Sequence, residues 1–455
     1  MTFLRLPVLF ACLAFPAFAA TSSSTSNQVP EDQISTMKTQ PSSTAQELYA
    51  AAQNDLLQIR VLLKNGHSQS GVGSGFLIGT SNLVITNFHV ISKMALEPET
   101  YFGEFKDTQG KSGEIELLAV DVLHDLAVVR INRQGTGFFK LTETPAPLNQ
   151  GEHLYSLGNP LDLGFFISEG TYNGLSHRGF SEQVMFTGPV NPGMSGGPNV
   201  KADGQVAGVN VAHRRDGELV SFLVPATYAQ KLFARITPES KPPADFKPII
   251  GEQLLVYQSV MMDTLLAKPL THKNLGPYSV PVRESEQVRC WGSSDTKGEK
   301  TYNTDQINCR MESAIYVSDD LQTGNISIHH KFTQTDKLNS LRFALLMGKF
   351  FSNRVDSNTK DEDVTTSRCT EEFIGNNNFS SRAVVCVEAY QKFSGLYNFL
   401  LFTTSTDEPL MNLQSRLVIN GTSYENGQKF ISQFLTGLTK ETKITAEPNN
   451  TKEAK

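Results

Sequence analysis

Ser195 sits in the run Gly193-Met194-Ser195-Gly196-Gly197-Pro198, whose residue types suit acyl transfer. A serine hydroxyl is a weak nucleophile and needs an exposed position beside a base. Its own backbone N–H and that of Gly193 can converge on one point, where they stabilise the oxyanion of a tetrahedral intermediate. Glycine at 193 permits the backbone conformation that turns its N–H inward. Gly196 and Gly197 keep bulk away from an approaching carbonyl. Two partners complete the chemistry. The apolar strand that starts at Leu83 ends just before His89, and Asp125 stands at the mouth of Leu126-Ala127-Val128-Val129-Arg130-Ile131. His89 is the candidate base, and Asp125 the candidate that fixes its tautomer and stabilises the imidazolium. Asp121 is a second candidate acid; the strand-like run directly after Asp125 favours Asp125. This chemistry calls for no cofactor and no metal.

The elements that must position these residues are short. Leu56–Leu63, Gly75–Ile78, Leu83–Thr86, Leu126–Ile131, Val206–Val211 and Phe222–Val224 are β-type runs separated by Gly, Asn and Pro. Many short strands with turn residues between them predict an all-β barrel or sandwich over residues 45–237, with a short helix over Ala45–Asn54. Pro238, Pro242, Pro243 and Pro248 mark 238–250 as a linker. Residues 251–440 read as an α+β domain. Leu254, Tyr257, Met261 and Leu265 share a helical face, as do Leu338, Leu341 and Leu345 with Asp336 placed to cap, and Phe430, Phe434 and Leu438. Strands are expected over Ile326–Thr333, Ala383–Tyr390 and Leu417–Ile419. A strand-then-helix block occurs near 326–351 and again near 417–438, with too little similarity to call a repeat.

The catalytic segments resemble the chymotrypsin-like serine proteases, especially the bacterial Deg/HtrA-like branch. Thr86-Asn87-Phe88-His89-Val90 resembles that branch's T-N-x-H-V, Asp125-Leu126-Ala127-Val128 its D-L-A-V/L, and Gly158-Asn159-Pro160 its G-N-P. Asn191-Pro192-Gly193-Met194-Ser195-Gly196-Gly197-Pro198 resembles N-P-G-N-S-G-G-P, with Met194 in place of Asn. The likeness covers about residues 55–235. It implies two six-stranded β-barrels with the site in the cleft between them, and endopeptidase activity on protein or peptide substrates. It also implies a specificity pocket floored by Pro189, with a far wall around Val209, Asn210 and Val211. With no acid at the floor, small or medium apolar residues are expected before the cut bond. Two features of the family are missing. Leu275-Gly276-Pro277-Tyr278 is the nearest approach to a PDZ carboxylate-binding loop, and Pro277 removes a needed donor. No Ile-Val-Gly-Gly start is visible.

Two rival readings stay open at the level of sequence. Gly193-x-Ser195-x-Gly197 also fits the nucleophile elbow of a serine esterase, which requires a helix directly after the serine. A catalytically silent, protease-like binding scaffold is the other.

The chain has 455 residues, room for about three domains of ~150, and 39% hydrophobic with 19% charged residues is a globular composition. A net charge of −6 gives no basic footprint for a nucleic-acid partner. Arg5, the apolar stretch Leu6–Phe15 and Ala17-Phe18-Ala19 read as a signal peptide over 1–19, followed by a flexible leader over 20–44. No later apolar run approaches the ~18 residues of a membrane span. Export to a bacterial periplasm or the medium follows. Cys290, Cys309, Cys369 and Cys386 allow three pairings. Cys290–Cys309 and Cys369–Cys386 are favoured, because each pair flanks an expected hairpin. Zinc is the rival, but no C-x-x-C occurs. The adjacent His329 and His330 face opposite sides of a strand and suggest no metal. Residues 441–455 read as a disordered tail. Oligomeric state is not legible.

Overall fold

The computed structural model describes residues 42–143, 147–160, 163–211, 220–295, 300–351, 362–376 and 379–440. The expected signal segment, nearly all of the leader and the tail 441–455 lie outside the described residues.

After a short helix α1 (Ser43–Ala52), the first barrel is built from β1 (Leu56–Leu63), β2 (Gln69–Leu77), β3 (Leu83–Thr86), β4 (Tyr101–Asp107), β5 (Ser112–Asp121) and β6 (Leu126–Arg130). The strands close in the order β1-β2-β3-β6-β5-β4. Side chains alternate across a strand, and β1 shows why this barrel is apolar on two sides. Leu57, Ile59 and Val61 join one buried cluster, while Leu56 joins another that runs into the second barrel through Leu157, Val200 and Val209. Helix α2 (Phe88–Leu96) lies between β3 and β4. The second barrel comprises β7 (His153–Gly158), β8 (Phe166–Ser176), β9 (Gln183–Phe186), β10 (Pro198–Val200), β11 (Val206–Asn210) and β12 (Ser221–Pro225), closed as β10-β11-β12-β9-β8-β7. Helix α3 (Ala226–Phe233) follows.

Helix α4 (Lys247–Leu266) starts inside the stretch read as linker. Its residues Leu254, Tyr257, Met261 and Leu265 are all buried. Gln253 docks it on the first barrel: its side-chain amide donates to the Val120 carbonyl (2.9 Å) and its oxygen accepts from the Val122 N–H (2.8 Å). Beyond it come the hairpin β13 (Thr271–Leu275) and β14 (Tyr278–Val282), then β15 (Val288–Asp295) and β16 (Asn303–Met311). The small hairpin β17 (Ile315–Ser318) and β18 (Leu321–Thr323) precedes β19 (Asn325–Gln334) and helix α5 (Ser340–Phe350). The chain ends with β20 (Arg368–Asn376), β21 (Phe379–Ala389), β22 (Tyr397–Ser405), β23 (Met411–Thr422), helix α6 (Tyr424–Gly437) and β24 (Thr439–Lys440). A seven-stranded antiparallel sheet runs β15-β16-β19-β23-β22-β21-β20. Its central strand β23 pairs with the neighbouring β19 from Asn325–Asn420 to Gln334–Met411, and each of the two leads into a helix. The strand-then-helix block seen twice in the sequence thus meets itself at the sheet's middle. Leu275-Gly276-Pro277-Tyr278 forms the tight turn between β13 and β14.

Helix α5 corrects one expectation. Its cap is Asn339, whose side chain accepts from the Arg342 N–H (2.9 Å), not Asp336. Its buried face carries Phe343 and Met347, whereas Leu341 and Leu345 are 71% and 63% exposed. Cys290 pairs with Cys309, and Cys369 with Cys386, each between directly opposed residues of an outermost hairpin of the large sheet. His330 is buried and bonded to Ser415 and the Pro281 carbonyl, while His329 is half-buried beside Gln306. One apolar cluster runs unbroken from the first barrel (Leu57, Phe105, Val129) into the C-terminal region (Ile250, Met261, Leu417). Among the described residues no helix is long and apolar enough to cross a membrane.

Candidate active site

Strand β3 ends at Thr86, and α2 begins at Phe88, so His89 lies in the first turn of a helix rather than at a strand end. The first N–H groups of a helix lack intrahelical partners. Here Asp125 supplies them from the start of β6. Its Oδ1 accepts from the His89 N–H (2.8 Å), and its carbonyl accepts from the Phe88 N–H (3.2 Å) and the Asn87 side-chain amide (2.7 Å). Asp125 adopts φ +54°, a left-handed conformation uncommon outside glycine but tolerated by Asp and Asn. Its Oδ2 lies 2.6 Å from His89 Nδ1. That contact fixes the ring and leaves Nε2 for another partner. Asp121 instead binds His124 through the His124 N–H (3.2 Å) and Nδ1 (2.7 Å). Burial is the largest influence on the His89 pKa and pushes it down. The charge and hydrogen bond of Asp125, together with the charge of Asp319, outweigh it, and the imidazole pKa is raised above its ordinary 6.5.

The Ser195 loop belongs to the second barrel but is held by the first. The Ser74 N–H donates to the Ser195 carbonyl (2.7 Å), and the Ser74 hydroxyl donates to the Gly193 carbonyl (2.7 Å) while accepting from the Asn159 N–H (2.9 Å). Thr86 donates its hydroxyl to the Ser74 carbonyl (2.7 Å). Gly196 approaches even closer to the His89 segment. A Cβ there would lie 2.3 Å from the Ser74 carbonyl oxygen, 2.4 Å from Thr86 Oγ1 and 2.9 Å from the Asn87 nitrogen, and its φ is +85°. Ser195 is therefore tethered next to the backbone two residues before His89. Gly193 has φ +94°. Among the described residues, no backbone carbonyl outside helices and strands accepts from its N–H or from that of Ser195.

Sequence reasoning missed Ser74. The signal was Gly71-Val72-Gly73-Ser74-Gly75 within a strand, since repeated glycines there mark close backbone approach. The reason is visible at Gly73, where a Cβ would sit 3.0 Å from the Ser195 carbonyl oxygen. Gly158 of the G-N-P run packs in the same way, with a Cβ 2.7 Å from Met194 Cα.

Met194 is 2% exposed and packs with Leu154, Val184, Phe186, Val190 and Leu223. It roots the serine loop in the apolar core of the second barrel. Met194→Asn is expected to place an unpaired amide there and destabilise the protein by about 1–3 kcal/mol, read as a lower midpoint in urea unfolding. An unchanged midpoint would show that the loop does not depend on this anchor.

The four residues expected to line a specificity pocket do not converge. Pro189 is exposed, and its carbonyl accepts from the Ser168 hydroxyl (2.8 Å). Val209 is fully buried, turned into the core by the alternation of β11, and cannot face substrate. The buried Asn210 binds Ser156 Oγ (2.6 Å) and the Leu157 and Met194 carbonyls, while its backbone pairs with Gly196 and Gly197. Val211, just past the end of β11, lines a cavity. Strand β10 starts at Pro198, directly after the glycines, so a strand and not a helix follows Ser195. That excludes the nucleophile elbow.

The match to a known domain family agrees with this architecture. Residues 73–209 match the trypsin-like peptidase domain. The chain is 30% identical over 182 residues to the putative serine protease HhoB of Synechocystis sp., covering 38% of this chain and 42% of that protein. It is 27% identical over 228 residues to the mitochondrial serine protease HTRA2 of Drosophila ananassae, covering 48% and 51%. A crystal structure of the serine endoprotease from Yersinia pestis aligns with 43% of this chain and 67% of that one, at TM-score 0.37 and 21% identity. The chain spans about half the length of the curated relatives it matches. Two closed barrels, interlocked at a Gly-x-Ser-Gly-Gly loop packed against the segment that carries His89, fit the trypsin-like peptidase domain that residues 73–209 match, and this part of the chain is similar to serine proteases of the Deg/HtrA-like branch.

Proposed function

We propose that the chain is a serine endopeptidase that acts through His89, Asp125 and Ser195. The observation that carries this reading is the 2.6 Å contact from His89 Nδ1 to Asp125, made beside the backbone onto which the Ser195 loop is tied. In this mechanism His89 Nε2 takes the Ser195 proton as Oγ attacks the scissile carbonyl. The Gly193 and Ser195 N–H groups hold the oxyanion. The imidazolium, stabilised by Asp125, then protonates the leaving amine, and water releases the acyl group by the reverse proton path. Cleavage after small or medium apolar residues is carried by the resemblance alone, because Pro189 is exposed and bonded to Ser168 and floors no pocket. The two cystines of the C-terminal sheet fit an oxidising compartment. They support export to the periplasm or the medium; on this reading 1–19 is the signal peptide and 45–237 the protease domain.

The test is fluorophosphonate labelling of the full chain beside Ser195→Ala. Labelling of the first and not the second is expected. A folded wild-type chain that takes no label would instead be a binding scaffold, and labelling of both would place the nucleophile elsewhere.

The raised His89 pKa gives a second expected result. His89 must be neutral to accept a proton, so kcat/KM falls as pH drops, with a midpoint above 6.5. Because Asp319 adds to the upward shift, Asp319→Asn moves that midpoint down. A midpoint at or below 6.5, or one indifferent to Asp319, contradicts the assignment.

A further inference from the structure

Strand β17 alternates in burial. Ile315 and Val317 are buried, while Tyr316 and Ser318 are only half-buried. Side chains alternate across a strand, so Tyr316 leaves by the face opposite Ile315 and Val317. The root of this hairpin is fixed from several sides. Its second strand buries Leu321 and Thr323, and the Thr323 hydroxyl bonds the Tyr390 hydroxyl (2.6 Å). The Tyr257 hydroxyl donates to the Gly324 carbonyl (3.1 Å). Glu312, just before β17, pairs with Arg289 (3.1 Å) and with Arg178 beyond β8 (3.6 Å).

The rooted hairpin meets helix α2. The Tyr316 ring stands edge-on to the His89 imidazole, with centroids 5.8 Å apart and planes at 73°. That is the geometry of an attractive aromatic pair. Lys93, four residues after His89, lies on the same side of α2. It pairs with Asp319 in the hairpin's turn (2.9 Å) and donates to the Ser70 hydroxyl of β2 (2.9 Å). The Tyr316 hydroxyl donates to Asp319 in turn (2.7 Å). Ring, carboxylate and ammonium thus clip the hairpin to the helix that carries His89.

Asp125 holds the imidazole at one atom, Nδ1 (2.6 Å). A single hydrogen bond leaves a ring able to tilt about that contact, and Nε2, on the far side of the ring, then moves the most. A second contact against the ring limits the tilt. Tyr316 makes that contact from a part of the chain outside both barrels. Resting on the protease reading above, we propose that Tyr316 is a positioning residue, which holds the His89 ring so that Nε2 meets the Ser195 hydroxyl. The C-terminal region thereby completes the site in cis. The Tyr316 hydroxyl is spent on Asp319, and burial keeps it well above the ordinary phenol range, so its part is steric and not proton transfer.

The experiment compares full-length wild type, Tyr316→Ala and Tyr316→Phe, with the melting temperature of each recorded. One readout is kcat and KM on a quenched apolar peptide. The other is the rate of labelling by a small fluorophosphonate, which makes no extended-peptide contacts. A misplacement of about 1 Å can cost ~10²-fold. Tyr316→Ala should therefore lower kcat and the labelling rate together, by about 10- to 100-fold, and leave KM within about threefold. Tyr316→Phe keeps the ring and should bring both rates back to within about threefold of wild type. Where Tyr316→Ala does not fold, Tyr316→Leu replaces it with the same expected direction. Unchanged rates overturn the proposal, and so does an equal loss in Tyr316→Phe. A raised KM with kcat and labelling intact also overturns it and makes Tyr316 a substrate contact. Faster turnover without the ring overturns it and makes the hairpin an inhibitory cover. Failure of the protease reading looks different, because a folded wild-type chain then takes no label. NMR of the His89 Nδ1 proton still judges the contact in that case. A resonance broadened by exchange in Tyr316→Ala and sharp in Tyr316→Phe keeps the role of Tyr316, and equal spectra remove it.

Discussion

Asp125→Asn is expected to lower kcat by about 10⁴-fold, the scale on which a triad loses its correct histidine tautomer. The carboxylate oxygen 2.6 Å from His89 Nδ1 would be matched by an amide that can present a donor to it. Nδ1 would then act as acceptor, and the proton would move to Nε2, where the base is needed. The variant is a clean one. Asn tolerates the left-handed conformation at φ +54°. The backbone carbonyl that binds Phe88 and Asn87 is untouched, so the start of α2 stays in place. Steady-state kinetics on an apolar peptide substrate, with the melting temperature as control, measure the effect. A kcat within tenfold of wild type would remove Asp125 from the proposed mechanism.

Gly196→Ala is expected to cost both stability and activity. Its φ of +85° already penalises a side chain by about 1–2 kcal/mol. The added methyl would also meet the Ser74 carbonyl oxygen at 2.3 Å and the Asn87 nitrogen at 2.9 Å, and neither is the end of a flexible side chain. The loop must therefore retreat from the first barrel and carry Ser195 with it. A displacement of about 1 Å can reduce turnover ~10²-fold. Gly348→Ala is the matched control. It lies in helix α5 with nothing within 4 Å of the new Cβ, and should be neutral or stabilising by about 0.5–1 kcal/mol. Equal behaviour of the two variants in urea unfolding and peptide hydrolysis would show that the close packing at 196 is dispensable.

The candidate site was legible in the sequence to the extent that its residues occupy short runs of telling composition. Ser195 stands among glycines while His89 and Asp125 border apolar strands, and the structure ties the Ser195 loop to the segment before His89 through Ser74 and Thr86. What the runs do not encode is which way neighbouring side chains turn. Val209 and Asn210 were grouped as one wall, yet alternation sends the first into the core and spends the second on bonds to Ser156 and the serine loop. The same ambiguity reversed α5, because Leu341 and Leu345 have helical spacing but Phe343 and Met347 offer a rival buried face. The Tyr316–His89 contact was invisible for a different reason. It joins residues more than two hundred positions apart through a hairpin with no catalytic residue types, and only the docking of one region on another creates it.

That docking also bears on how such a chain is handled. A graft of residues 45–240 onto another protein, or its excision as a minimal enzyme, would leave β5 without the Gln253 amide and strip α4 from the outside of the first barrel. Modularity here is a property of the gene map more than of the molecule. Heating should melt both halves together, and an engineer who wants the peptidase will have to keep its companion.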